Sequence, residues 1–135
     1  MKNENGQTLV LFILILPIII IILSLLINYA VLSAKKIELE NNIKSALEYG
    51  LNLKINSEDE TKVLTNNEIK NKLEYLLKQN IEYDKLNITV NETNITINLT
   101  KKIDSFLNII PSINNKLNIS YYGEIIDKKI RVERR

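Results

Sequence analysis

From Leu9 to Ile27 the chain reads LVLFILILPIIIIILSLLI, apolar at almost every position, with no charge and a single hydroxyl at Ser24. About 20 such residues cross a hydrocarbon core of roughly 30 Å as a helix. A run this solid has no polar face, which sets it apart from the buried helix of a soluble core. A transmembrane helix is therefore predicted over residues 7–34, with Asn28 and Tyr29 at its margin, where an amphipathic ring suits the membrane–water interface. Beyond it the pattern changes from solid to periodic. Leu32, Leu39, Ile43, Ala46, Leu47 and Leu51 recur at spacings of three, four or seven, one apolar stripe on a continuing helix. Residues 35–53 thus form an amphipathic extension. Lys35, Lys36, Glu38, Glu40, Lys44 and Glu48 occupy its other faces, and Glu40 precedes Lys44 by four in the favourable order. Gly50 is the one residue expected to loosen or end the helix. From residue 7 to residue 50 the helix would measure about 65 Å.

Residues 54–64 (KINSEDETKVL) read as a polar connector, with an acidic patch at Glu58, Asp59 and Glu60. Thr65 and Glu68 make a capping box. Ile69, Leu73, Leu76, Leu77 and Ile81 follow as the apolar face of a second helix, about residues 66–80. The period then shortens to two. Leu86, Ile88 and Val90 alternate with polar residues, as do Ile95, Ile97 and Leu99, with NETN between them as a turn. IDSFLNIIPSINN is a connection containing Phe106, Leu107, Ile109, Ile110 and the helix-breaking Pro111. Leu117, Ile119 and Tyr121 mark a third strand, and the charged tail KKIRVERR extends that strand or frays. The predicted fold class is α+β. A long N-terminal transmembrane and amphipathic helix packs on a small head, residues 54–135, holding one further helix and a three-stranded antiparallel sheet. Each strand has one polar face, so the apolar face of the sheet needs a cover, and the stripe of the long helix supplies it.

Composition narrows the chemistry. The 135 residues suffice for one modest domain and one membrane segment. Eighteen basic and 16 acidic side chains nearly balance, and no basic run is interleaved with aromatics, which argues against nucleic acid as a partner. The chain has no Cys and no His, which removes disulfides, thiolate or imidazole metal sites, cysteine nucleophiles and His-based triads. Of the remaining options, Glu82 and Asp84 read as surface charges, and Ser105 with Lys101 or Lys102 forms no motif-supported dyad. Gly6, Gly50 and Gly123 stand apart, so no phosphate loop is formed. The acidic patch lacks the ligand spacing of a calcium loop. No enzyme, cofactor, metal or small-molecule substrate is expected.

The segment in front of the apolar run is short and polar and ends in Gly6-Gln7. A cleaved secretory signal fits it less well, since the apolar run is longer than an ordinary signal core and the leader has one Lys, though VLSA near Ala34 would pass for a cleavage site. Counting Lys and Arg side chains, Lys35 and Lys36 outnumber the leader's single Lys2, which mildly favours a cytoplasmic head.

The stretch GQTLVLFILILPIIII resembles the N-terminal signature of type IV pilin-like proteins, and most closely the TadE-like minor pilins of tight-adherence (Tad) pilus systems. Gly6, Val10, Phe12 and Pro17 fall where that pattern puts them, and LINYAVLSAKKIELENNIKSALEYGL continues it less specifically. In outline the end is also similar, with a strand, an apolar loop with Pro, and a last strand carrying Glu124. The resemblance implies a leader of residues 1–6, cut between Gly6 and Gln7 by a prepilin peptidase at the cytoplasmic face of a bacterial cell. It implies a single-pass protein of the cytoplasmic membrane with the leader inside and the head outside, the reverse of the small charge bias. Its expected partners are the membrane, the peptidase and other pilus or assembly-platform subunits, and incorporation into a pilus is open. One position departs from the pattern. Where pilin-like sequences usually place a Glu before the Phe, this chain has Leu11. A carboxylate there is costly in lipid, and in pilins it is thought to pair with a neighbour's new N-terminus. Its absence points to a minor or assembly role over that of the repeating subunit. Pro17 is either a tolerated kink or a point where the helix bends on leaving the bilayer. The alternative reading is a single-pass anchored, partner-binding protein unrelated to pili.

Overall fold

A computed structural model of the chain describes residues 4–59, 63–103 and 116–135. Two helices, α1 (Glu4–Asp59) and α2 (Asn66–Asn80), precede four strands: β1 (Lys85–Val90), β2 (Asn94–Lys102), β3 (Lys116–Ile126) and β4 (Lys129–Arg134). The strands form one antiparallel sheet in the order β1-β2-β3-β4. The fold is α+β as the periodicities predict, with one strand more than expected.

Helix α1 is continuous for 56 residues, about 84 Å at the standard rise. Its stripe does what the spacing predicts. Leu39, Ile43, Ala46, Leu47 and Leu51 are all buried, and Leu32 is partly so. Thr65 caps α2 through the full reciprocal box: its hydroxyl accepts from the Glu68 N–H at 3.3 Å, and its own N–H donates to the Glu68 carboxylate at 2.8 Å. Ile69, Leu73, Leu77 and Ile81 then turn inward beside α1. Against both helices lie Ile88 of β1, Ile95, Ile97 and Leu99 of β2, and Leu117, Ile119 and Tyr121 of β3. Full burial of a Leu or Ile contributes about 1.5–3 kcal/mol, so this cluster dominates the stability of the head.

Four expectations need correction. Gly50 neither loosens nor ends α1. It is buried, and a Cβ there would lie 2.9 Å from Ile95 Cδ1 and 3.0 Å from Leu73 Cδ1. Its lack of a side chain lets α1 approach β2 and α2, and that packing outweighs the poor helix propensity of glycine. Nor do residues 54–59 form a connector, since they continue α1. Lys54 explains why a polar run packs. Its side chain is buried, and its ammonium donates to Asn66 Oδ1 at 2.9 Å and to the Glu92 carbonyl at 3.2 Å. One cation thereby ties the end of α1 to the start of α2 and to the β1–β2 turn.

Third, the charged tail is a strand. The two-residue turn Asp127-Lys128 joins β3 to β4 with φ of 50° and 61°, the left-handed pair that a tight hairpin with right-handed strands requires. Val132 and Ile130 of β4 pack at the core margin. The anticipated Glu40–Lys44 pair is also replaced by contacts to the sheet. Glu40 Oε1 lies 3.2 Å from Arg134 Nη1 in an ion pair without hydrogen-bond alignment, and Lys44 Nζ sits 5.4 Å from the Tyr121 ring centroid. The connection bearing Phe106, Leu107, Ile109, Ile110 and Pro111 lies outside the described residues, as do Ser105 and Glu60.

Gly50→Leu is expected to lower the unfolding free energy of the head by about 1–3 kcal/mol through overpacking, read from urea denaturation in detergent. Unchanged stability would show that α1 does not approach β2 this closely. Burial holds the Lys54 pKa below its ordinary 10.5, against a smaller opposing pull from Glu92. The cost of burying the charge is present below that lowered folded-state pKa and is relieved as pH rises through it towards 10.5. The stability of the native chain relative to Lys54→Met should therefore increase from neutral pH to about pH 10. A difference that stays flat or falls in paired denaturation curves would contradict this.

Candidate functional site

The part of α1 that covers no core is its first half. Every large apolar side chain from Leu9 to Ile27 is between 40% and 64% exposed. Monomeric soluble proteins rarely leave so much contiguous apolar area to water, and such a surface marks contact with a membrane or another protein. Among the described residues this is the one helix long and apolar enough to cross a membrane. Its few polar groups are handled locally: Ser24 Oγ donates to the Ile20 carbonyl at 2.8 Å, so its hydroxyl needs no outside partner. Pro17 lies inside the helix near the middle of the apolar run. It has no N–H to give to the Ile13 carbonyl four residues back, which leaves a weak point in the backbone ladder. Asn28 is buried and Tyr29 is 73% exposed, so polar character returns where the apolar run ends.

The residues singled out by the sequence are all on this segment. Gly6 and Gln7 are exposed within the first turns of α1, because the helix begins at Glu4 and not at residue 7. No atom lies within 4 Å of where a Gly6 Cβ would be, so nothing in the fold requires glycine there. Val10, Leu11 and Phe12 are 57%, 58% and 61% exposed and touch no part of the head. Leu11 is therefore free to face lipid or another chain, and its environment resembles that of its neighbours. The helix draws these positions into one exposed rod, but gathers no chemical groups around them.

Just past the apolar run, α1 meets the head at a polar cleft of about 290 Å³ lined by Lys35, Glu38, Leu39, Asn80, Ile81, Glu82 and Lys101. Lys35 Nζ donates to Glu38 Oε2 at 2.8 Å. That hydrogen bond raises the Lys35 pKa and lowers that of Glu38, each holding the other charged. Lys101 Nζ lies 3.8 Å from Glu82 Oε2. Asp84 instead accepts the Lys102 backbone N–H at 2.5 Å, so Glu82 and Asp84 serve different contacts and form no acid–base pair. A second groove of about 400 Å³ lies between α1 and β4, lined by Lys44, Glu48, Asn52, Ile130 and Val132. Among the described residues no three acidic side chains gather as a metal site. In the sequence, Lys35 and Glu38 fall on the outer faces of the first helix, Glu82 reads as a surface charge, Lys101 forms no motif-supported dyad, and Leu39 and Ile81 belong to apolar stripes. Only Lys35 and Glu38, three apart on a helix, carried a local signal.

Comparison with known protein families, curated proteins and solved structures found no match. The physical character of the segment is thus the main guide to its role. Ile19→Arg would place a charge near the middle of the apolar run, at a cost of about 2.5–3.5 kcal/mol for a spanning helix. The variant is expected to shift from the integral to the carbonate-extractable membrane fraction. Retention equal to the native chain would mean that this stretch does not sit in the hydrocarbon.

Proposed function

We propose that the chain is a TadE-like minor pilin or pilus-assembly membrane protein, non-enzymatic, held by a single pass with its head on the extracytoplasmic side. The observation that carries this reading is the Gly6-Gln7 junction, exposed and immediately ahead of a long apolar helix that continues without a break into the head. A peptidase working at the membrane edge must unwind the helix around its target bond. Glycine weakens a helix by about 1 kcal/mol relative to alanine and offers no side chain to obstruct the protease. The fold's indifference to a Gly6 side chain leaves glycine free to serve such a purpose. Pro17 supplies a second weak point, suited to a helix that must bend between bilayer and assembly. With Leu11 in place of a carboxylate, this helix has no group to pair with a neighbour's amino terminus. That is consistent with a minor subunit or one that stays in the membrane.

A second reading is a single-pass anchor whose head binds a partner unrelated to pili. Leu11 and the Lys35–Lys36 flank, which favours a cytoplasmic head, are the observations on its side. N-terminal sequencing of membrane-extracted protein separates the two. The pilin-like reading expects a mature chain beginning at Gln7 in cells that carry a prepilin peptidase, and an uncut leader in Gly6→Val. An intact leader in the native chain removes the processing claim. Protease protection of the head from the periplasmic side, placing it in the cytoplasm, would favour the second reading.

A further inference from the structure

A cut between Gly6 and Gln7 would leave a new amino group on Gln7, at the start of the apolar rod. Gln7 is exposed, and Leu9, about 3 Å further along the helix, already belongs to the apolar run. Between Gln7 and Glu38 the chain has no Asp and no Glu. The first carboxylate of the shortened helix would therefore stand about 46 Å from its amino end at the standard rise. A free ammonium at that end is badly placed. It adds positive charge to the positive end of the helix dipole. It also sits beside the apolar run, where an unpaired charge is costly in lipid. No acidic side chain of α1 is close enough to offset either effect.

Glutamine is a residue that can remove this charge with its own atoms. The unprotonated amine of an amino-terminal Gln attacks Cδ of the same side chain. A new N–Cδ amide bond closes the pyroglutamyl lactam and the Cδ–Nε2 bond breaks. The side-chain nitrogen leaves as ammonia, carrying the proton that the amine gives up. The step consumes no oxidant, reductant or co-reactant. α-Amino groups ordinarily titrate near about 7.7–8.0, so the nucleophilic form is available around neutral pH. Only atoms of Gln7 take part, and its side chain is exposed on α1, so no packed neighbour opposes ring closure. The product keeps one N–H as an uncharged donor at a helix start, where N–H groups have no intrahelical partner in any case.

We propose that Gln7 is a modification site: once the leader is removed, the mature amino terminus closes to pyroglutamate and α1 begins without charge. This rests on the processing reading above and adds to it the chemical state of the cut end. It also matches that end to position 11. A neutral terminus needs no carboxylate from its own helix or from a neighbour, so an apolar Leu11 leaves nothing unpaired. The mature chain would in addition resist sequencing chemistry directed at a free amine until the lactam is removed.

The native full-length chain is expressed in cells that carry a prepilin peptidase, and amines are blocked by reductive dimethylation at lysis, before purification in detergent. No Lys lies between Gln7 and Ala34, so a label on a peptide from this segment can sit only on its amino terminus. Mass spectrometry of chymotryptic peptides should find the Gln7 peptide unlabelled and lighter than its sequence by one ammonia in most cut chains. Pyroglutamyl aminopeptidase should then remove that residue and expose Thr8 as a free amine. Gln7→Ala has no side-chain amide to close the ring, and its cut end should carry the label at full mass. A native Gln7 peptide at full mass with the label would overturn the proposal while leaving the processing reading in place. An equally unlabelled end in Gln7→Ala would overturn it too, by assigning the block to something other than the Gln7 side chain. A native chain that retains its leader would remove the processing reading, and the modification with it.

Discussion

Everything in this protein depends on one helix that carries two kinds of surface. The first half of α1 is apolar on all sides and the second half is apolar on one side only, with no break between them. The second half covers the sheet, so the head has no core without it: Ile43, Leu47 and Leu51 sit at the centre of the cluster that also takes in α2 and three strands. Because a helix is stiff over several turns, the head is carried as a fixed extension of the apolar rod. Any motion of the rod is transmitted to the head, and Pro17 is the point within the apolar run where the backbone ladder is weakened.

Polar groups reinforce this arrangement at both ends of the head. At the far end Lys54 is buried and shared among α1, α2 and the β1–β2 turn. A buried ammonium is tolerated because its donors meet an amide oxygen and a backbone carbonyl. At the near end Lys35 and Glu38 hold each other charged beside a cleft whose other wall is the end of α2 and β2. Between them, Glu40 and Lys44 reach across to Arg134 and Tyr121. The helix is thus fastened to the sheet by contacts of long sequence separation, while each helix holds only modest local ones.

Much of this was legible in advance because the strongest signals are periodic. A solid apolar run, a helical stripe, a capping box and two alternating strands each correspond to a buried face, and burial is what the alternation encodes. The misses have a common cause: the stabilising partner was distant in sequence. Gly50 looks like a helix breaker until Ile95 and Leu73 are seen against it. KINSED looks like a linker until Lys54 finds Asn66 and Glu92. The Asp127-Lys128 turn carries no glycine, so the hairpin was hidden, and β4 became visible only through its pairing with β3. The candidate processing segment is the reverse case. Its meaning lies in the order of Gly6, Gln7, Leu11, Phe12 and Pro17, and the fold adds only that all of them lie on the exposed part of α1.

By itself the sequence determined which stretches can meet lipid, which faces must be buried, and that the apolar rod and the head share a helix. These follow from local periodicity and from the cost of exposing apolar area or burying charge. Tertiary structure decided where α1 ends, that a fourth strand joins the sheet, which cation is buried, and which charges meet at the cleft between α1 and the ends of α2 and β2. Those outcomes depend on residues tens of positions apart being brought into register, and no local pattern carries that information.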